Sequence, residues 1–335
     1  MPDTITTSAT STNSASSGTA SRTGTSALAG APAAAPFGAR LILGLAPDGM
    51  ALLRSNGVLR RGWQVLSQTG FATPLAPDAA LIELQAQLAQ TDLGKLPLTI
   101  ILDDRWVRYF MVTPPKNLSH FDDCAAATRM RFHSLYGEAP DGWQIEAVYS
   151  PNLPFLACAL PKTLLHSLQK IAHEQKSPLL GVAPHFITCF NRWRSALNGQ
   201  AWFALAHQDT LTLAAIEQGR LRALRSSRLA ESDWLDLPAV AEHVQREALR
   251  LNLAMPNRLQ LCGNIPGNWA RHSAGSLTLE RLDGAARPGS GQLAGAKFEE
   301  AKSEEAKSDQ AHSAELKSRQ ASAAALAIAA SGVRT

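Results

Sequence analysis

Two stretches of this chain carry the same punctuation, and that recurrence limits the available folds more than any other feature. In the first, Leu41-Ile42-Leu43-Gly44-Leu45 is an apolar run, Ala46-Pro47-Asp48-Gly49 a turn, and residues 50–54 a returning run that closes at Asn56-Gly57. In the second, residues 201–206 form a run, Gln208-Asp209 a turn, residues 210–217 a run, Gln218-Gly219 another turn and residues 220–225 a third run. Short apolar runs split by such residues read as hairpin strands. Residues 63–66 supply a third strand to the first unit. Each unit then meets a helix and one more strand. Pro77-Asp78 opens a helix with Leu81, Ile82, Leu84 and Leu88 inward, ahead of Leu98-Thr99-Ile100-Ile101-Leu102. Pro238 opens another with Val240, Val244, Ala248 and Leu251 on one face and Arg246 facing away, ahead of Leu259-Gln260-Leu261-Cys262-Gly263. The pattern predicts an α/β protein built from two β-β-β-α-β units.

Between the units, Asp103-Asp104 splits the run ending at Leu102 from Trp106-Val107-Arg108-Tyr109-Phe110-Met111-Val112, which reads as two paired strands joined by a tight turn. Thr113-Pro114-Pro115 stops the second strand, because proline has no N–H for a ladder. Ser119 with Asp122 gives a capping-box start to a helix carrying Phe121, Ala125, Thr128, Phe132 and Leu135 on one face. Residues 143–150 and 154–159 read as another strand pair. Leu160-Pro161 begins a helix striped by Leu164, Leu165, Leu168 and Ile171. Residues 179–182 are a short strand, and Pro184 leads into a helix with Phe186, Cys189, Phe190 and Trp193.

A strand bearing aromatics and arginine, then Pro-Pro, then a capped amphipathic helix resembles the PilM-type proteins of type IV pilus assembly. Their relatives in type II secretion and mannose-sensitive pili look similar. Val182-Ala183-Pro184, Thr210-Leu211-Thr212 and Gly219-Arg220-Leu221-Arg222 fall at matching points, so the resemblance spans roughly residues 39–283. It implies the two-lobed actin-like ATPase fold, FtsA-like and ribonuclease H-like. The first lobe would occupy 39–198 with a subdomain inserted at about 113–159, and a reduced second lobe 199–283. Residues 1–38, rich in Ser, Thr and Ala, are expected to be a disordered tail. Residues 284–335 are expected to be a low-complexity tail with an imperfect five-residue repeat. Five residues advance about 140° net around a helix, so no apolar seam forms and a coiled coil is excluded.

The resemblance also implies where nucleotide chemistry would sit. Actin-like ATPases cradle phosphates on glycine-containing hairpin turns and hold Mg²⁺ through nearby carboxylates. Here the first turn keeps Gly44, Asp48 and Gly49 but has no aspartate before Gly44, and Pro47 removes an N–H donor. The second, Ala204-Leu205-Ala206-His207-Gln208-Asp209, has no glycine, and the third keeps Gly263. Gly44, Asp48, Gly49, Asp209 and Gly263 are therefore the candidate vestigial nucleotide residues. Asp48 and Asp209 read either as displaced metal-side carboxylates or as ordinary turn residues. Asp103-Asp104 reads as a turn pair. No cofactor is expected, ATP with Mg²⁺ being the one candidate.

Other classes are poorly supported. The net charge of +4 over 335 residues comes without a dense basic tract, and Arg220, Arg222, Arg225 and Arg228 read as a charge-guarded strand edge rather than a nucleic-acid site. His166 and His173 stand seven apart, not at the i,i+4 spacing of a helical zinc grip. Cys124, Cys158, Cys189 and Cys262 are widely spaced among apolar neighbours and read as reduced, buried thiols. No segment reaches the roughly 18 apolar residues of a membrane span.

The expected role is a non-catalytic cytoplasmic adaptor, peripheral to the inner membrane. It would bind the cytoplasmic segment of a pilus or secretion platform protein, with an assembly ATPase as a second candidate partner. An active actin-like ATPase or sugar-kinase-like enzyme is the alternative. The resemblance places the partner beside the inserted subdomain. Trp106, Arg108, Arg129, Arg131 and Trp143 mix aromatics with arginine there, the composition of binding anchors. The competing reading makes the tryptophans core residues and the arginines a solvated face.

Overall fold

The computed structural model describes residues 38–57, 62–116, 120–199, 201–265, 269, 273–274 and 277–282. Apart from Gly38, both expected tails lie outside the described residues, as does the Ser119 cap. The first half opens with β1 (Leu41–Ala46), β2 (Gly49–Ser55), β3 (Trp63–Gly70), α1 (Pro77–Ala89) and β4 (Leu98–Leu102). An inserted unit follows: β5 (Arg108–Val112), α2 (Phe121–Tyr136), β6 (Trp143–Ala147) and β7 (Phe155–Pro161). The half closes with α3 (Lys162–Glu174), β8 (Leu179–Pro184) and α4 (His185–Trp193). The second half holds β9 (Trp202–His207), β10 (Thr210–Glu217), β11 (Arg220–Arg228), α5 (Glu231–Leu235), α6 (Leu237–Arg250), β12 (Arg258–Gly263), β13 (Ser273–Ala274) and β14 (Leu277–Arg281).

The two halves repeat one topology. The first sheet runs β3-β2-β1-β4-β8; the second runs β11-β10-β9-β12-β14, with β13 added at its edge. In both, the hairpin strands are antiparallel and the later strands parallel. Parallel central strands are covered on both faces, which explains why every residue of β1 and β9 is buried. Alternation then sorts their side chains. Leu41, Leu43 and Leu45 meet Leu84 and Leu88 of α1 and Leu164, Leu168 and Ile171 of α3. Ile82, expected inward, is 69% exposed. In the second half, Trp202, Ala204 and Ala206 meet Val240, Val244 and Ala248 of α6 and the stacked pair Trp234 and Trp269.

The other face of β9 is covered by a helix from the first half. Phe186, Cys189 and Phe190 of α4 pack on Phe203 and Leu205. Phe186 and Phe203 are fully buried, with ring centroids 5.8 Å apart. This helix is shared between the lobes.

Two local expectations are corrected. β4 and β5 are not a hairpin: β4 lies between β1 and β8, whereas β5 pairs antiparallel with β7 in a separate three-stranded sheet ordered β5-β7-β6. Asp103 N–H donates to Leu45 O at 3.0 Å, extending the β1–β4 ladder, and Asp104–Trp106 then forms a 3₁₀ turn that turns the chain out of the sheet. The helix α2 is capped at His120, whose N–H donates to the Asp123 carboxylate at 3.0 Å, one residue later than the Ser119/Asp122 reading. Leu135 faces solvent, while Cys124, Thr128 and Phe132 are buried.

Candidate functional site

The β1–β2 turn and the β9–β10 turn converge on one cleft of about 570 Å³. It is lined by Pro47, Asp48, Pro74, Leu75, Ala76, Arg105, Trp106, Gln208, Asp209 and Arg228. The fold thus brings Asp48 and Asp209 together from opposite halves of the chain. Gly44 and Gly49 do not reach the cleft as loop residues. They sit within β1 and at the start of β2, paired with Ala51 and Ala46. Gly263 has a structural reason of its own: its φ is +99°, and a Cβ would lie 2.2 Å from Ala206 O. Only glycine lets the end of β12 approach β9 this closely. Asn264 N–H then donates to the same carbonyl at 2.8 Å.

The cleft is organised by a residue the sequence reading passed over. The Arg105 guanidinium pairs with Asp48 of the first turn, and donates to both oxygens of Asp103, each at 2.9 Å. The backbone N–H of Arg105 also donates to Asp103 Oδ1 at 2.8 Å. Across the lobes, His207 Nε2 lies 3.0 Å from Asp103 Oδ2. Asp48, Asp103 and His207 are all buried. Asp103 thus caps the 3₁₀ turn, as the turn reading expects, and its carboxylate is also the buried centre of the junction. Burial alone would push its pKa up, but His207 and Arg105 together hold it far below the ordinary carboxylate range. Burial likewise works against the Arg105 charge, and the two carboxylates more than restore it.

Asp104 faces the other way, toward the N-terminus of α4. Its two oxygens accept from Phe186 N–H, each at 3.0 Å, and one accepts from the Tyr109 hydroxyl. A carboxylate at a helix N-terminus is favoured by the dipole. Burial dominates nonetheless and raises its pKa to about 7, against the opposing pull of His185. The rings of His185 and His207 meet edge-on at 4.9 Å, so the chain of contacts from Asp48 to α4 is continuous. Asp209, by contrast, is half-exposed and pairs at 3.6 Å with the exposed Arg228.

The arrangement is a self-satisfied ionic junction. Both Asp103 oxygens are occupied by protein donors, and the half-buried Arg105 guanidinium at the mouth of both turns is already held by two carboxylates. Neither turn is a glycine cradle: Pro47 offers no N–H, and Gln208 carries a side chain at φ +54°. Among the described residues, no group of three or more His, Cys, Asp or Glu is arranged to hold a metal ion. The signal for this site was the run Asp103-Asp104-Arg105 at the carboxyl end of a parallel strand, where open α/β sheets place their crevices.

The expected partner residues are only partly gathered. Arg108 lies over the rings of Tyr136 at 4.9 Å and Trp143 at 5.7 Å, and pairs with Glu138 at 3.2 Å. Trp143 is half-buried and packs on Phe132 at 5.2 Å. Arg129 pairs with Asp141 beside it. Arg131, exposed on the same helix, is rotated about 200° from Arg129. Trp106 belongs to the cleft, packed against the first core. Arg220 and the other strand arginines form the charged edge expected of β11: Arg222 pairs with Glu217 and Arg225 with Glu247.

Comparison with solved structures matches this topology. A Bacteroides thetaiotaomicron protein of actin-like ATPase fold and unknown function superposes with a TM-score of 0.51 at 12% identity, over 75% of this chain and 93% of that one. The fold is that of the actin-like ATPases. The PilM–PilN type IV pilus biogenesis complex gives a TM-score of 0.50 at 13% identity, covering 73% of this chain and 87% of that one. The cytoplasmic domain of EpsL, an inner-membrane component of the Vibrio cholerae type II secretion system, gives 0.47 at 11% identity, covering 73% and 87%. No family profile and no curated protein matches the sequence. No helix among the described residues is long and apolar enough to cross a membrane.

Proposed function

We propose that this actin-like chain is a non-catalytic cytoplasmic adaptor of a pilus-assembly or secretion platform, binding the cytoplasmic segment of a membrane-anchored partner. The observation that carries the non-catalytic part is the Arg105 junction. An incoming triphosphate would meet the Asp48 and Asp209 carboxylates that line the cleft, and its Mg²⁺ would have to compete with the half-buried Arg105 guanidinium that pairs with Asp48 and Asp103. The partner reading is supported by the likeness to a pilus protein solved in a biogenesis complex. It is further supported by the stack of exposed Arg108 on half-buried Tyr136 and Trp143 of the inserted unit. Arginine and aromatics stacked at a sheet end are the kind of anchors a short peptide uses, with main-chain bonds to a free edge such as β6 giving affinity.

Two measurements test it. Mg-ATP should leave the melting temperature unchanged. Ligand at a hundred times its dissociation constant would stabilise by about 2.7 kcal/mol, so a Mg²⁺-dependent rise of several degrees would favour the active-enzyme alternative. Charge reversal of Arg108 and Arg129 to Glu should abolish co-purification with the platform protein while leaving the melting temperature within a few degrees. Both side chains are exposed, so a folded variant that still binds would move the partner site elsewhere.

A further inference from the structure

Behind the ionic junction lies a second buried group of reactive side chains that the adaptor reading does not use. His185 and Cys189 stand one turn apart on α4, and Cys262 lies in β12 of the second sheet, beside Leu205. All three are almost completely buried, Cys189 and Cys262 within the same apolar cluster. The Cys262 thiol donates to the Cys189 sulfur, and the His185 imidazole lies against that sulfur as well. All four cysteines of the chain are reduced thiols in this structure. The chain thus holds two sulfurs in hydrogen-bond contact, contributed by different lobes, with a histidine beside one of them.

We infer that Cys189 and Cys262 form a site of reversible thiol oxidation, closing under peroxide to a disulfide that ties α4 to β12 across the lobe boundary. The chemistry of the neighbours supports the order of events. The hydrogen bond from Cys262 draws the Cys189 pKa well below the ordinary thiol value, against burial and with help from His185. Burial disfavours the His185 cation, yet Cys189 and the nearby Asp104 carry its pKa up to about 9. Cys189 is therefore the nucleophile. Its thiolate attacks one peroxide oxygen, the O–O bond breaks, and the departing hydroxide takes the proton of the His185 imidazolium and leaves as water. The Cys262 sulfur then attacks the sulfenic acid at Cys189. The S–S bond forms, the S–O bond breaks, and the Cys262 proton leaves with the hydroxyl as a second water. Two thiols and one hydrogen peroxide thus give one disulfide and two waters. Access to so buried a pair waits on local opening, so the reaction is slow beside that of an exposed thiol.

The test uses the full chain, natively folded, treated with hydrogen peroxide, then alkylated and mapped by mass spectrometry without reduction. Four cysteines allow three complete pairings, so selectivity is informative. The expected product is a Cys189–Cys262 peptide pair lighter by two hydrogens, with Cys124 and Cys158 alkylated; a parallel sample reduced with dithiothreitol before alkylation should carry the alkyl label on all four cysteines. In Cys262→Ala the same treatment should leave Cys189 as a sulfenic acid that dimedone traps. A chain unfolded in guanidinium should lose the selectivity. The inference is overturned if Cys158 oxidises first, if Cys189 passes to sulfinic acid with Cys262 untouched in the wild type, or if the native and unfolded chains give the same mixture of pairs.

Discussion

Replacing Arg105 with methionine removes the guanidinium while keeping a flexible side chain of similar length. Asp48 and Asp103, both buried, would then face each other's charge across an apolar group, with His207 as the remaining partner of Asp103. Removing one member of a buried ionic group costs about 3–5 kcal/mol, because the charges left behind are uncompensated. The contact with His207 and the partial exposure of Arg105, 14% in its side chain, place the expected loss near the lower end, about 3 kcal/mol. For a folded region of this size that corresponds to a drop of roughly 6–12 °C in melting temperature. Urea unfolding at pH 7 measures it directly. The pH dependence distinguishes this cause from lost packing. In the wild type the folded-state pKa of Asp103 is depressed, so its contribution is present above the unfolded value of about 3.9 and is lost as pH falls. The gap between variant and wild type should therefore be widest near neutrality and narrow on acidification. Adding Asp48→Asn to the variant should recover part of the loss, because one uncompensated charge is gone. A variant within 1 kcal/mol of wild type, or a gap independent of pH, would refute the reasoning.

Asp104 should give the opposite pH signature. Its folded-state pKa is raised to about 7, so its contribution is present below the unfolded value of about 3.9 and is lost as pH rises through 7. Asp104→Asn should flatten the decline in stability between pH 4 and 7, and identical slopes for both proteins would count against this assignment. Gly263→Ala should destabilise by about 1–3 kcal/mol or more through its positive φ and the close approach to Ala206 O, without changing any cleft side chain. Melting of that variant should be compared with Gly142→Ala, where a Cβ meets nothing within 4 Å.

The order of elements was legible because each is announced locally. Turn residues such as Gln208-Asp209 and Gln218-Gly219 separate runs whose composition fits strands, and Pro77, Pro161, Pro184 and Pro238 mark helix starts. What was not legible is which sheet each strand joins. Two good strand runs separated by Asp103-Asp104 look like a hairpin from either side. Only the long-range ladders from β1 to β4 and from β5 to β7 decide otherwise. The cleft was half legible for the same reason. Asp48 and Asp209 could be picked from their turns, but the Arg105–Asp48 pair spans 57 positions and His207 lies further still. An arginine after two aspartates carries no local mark of a distant partner. Among the expected surface residues, Trp106 and Trp143 share an aromatic character that hides their separation into different apolar clusters.

The position of α4 bears on how the chain can come apart. By sequence it closes the first lobe, yet Phe186 and Phe190 roof the sheet of the second. A chain ending before β9 would present a bare aromatic wall to water, and one beginning there would lack a lid over Phe203 and Leu205. Neither lobe is then a self-sufficient folding unit, and exposed apolar surface of this kind invites aggregation. Heating the intact protein should yield a single calorimetric transition whose enthalpy matches the van't Hoff value.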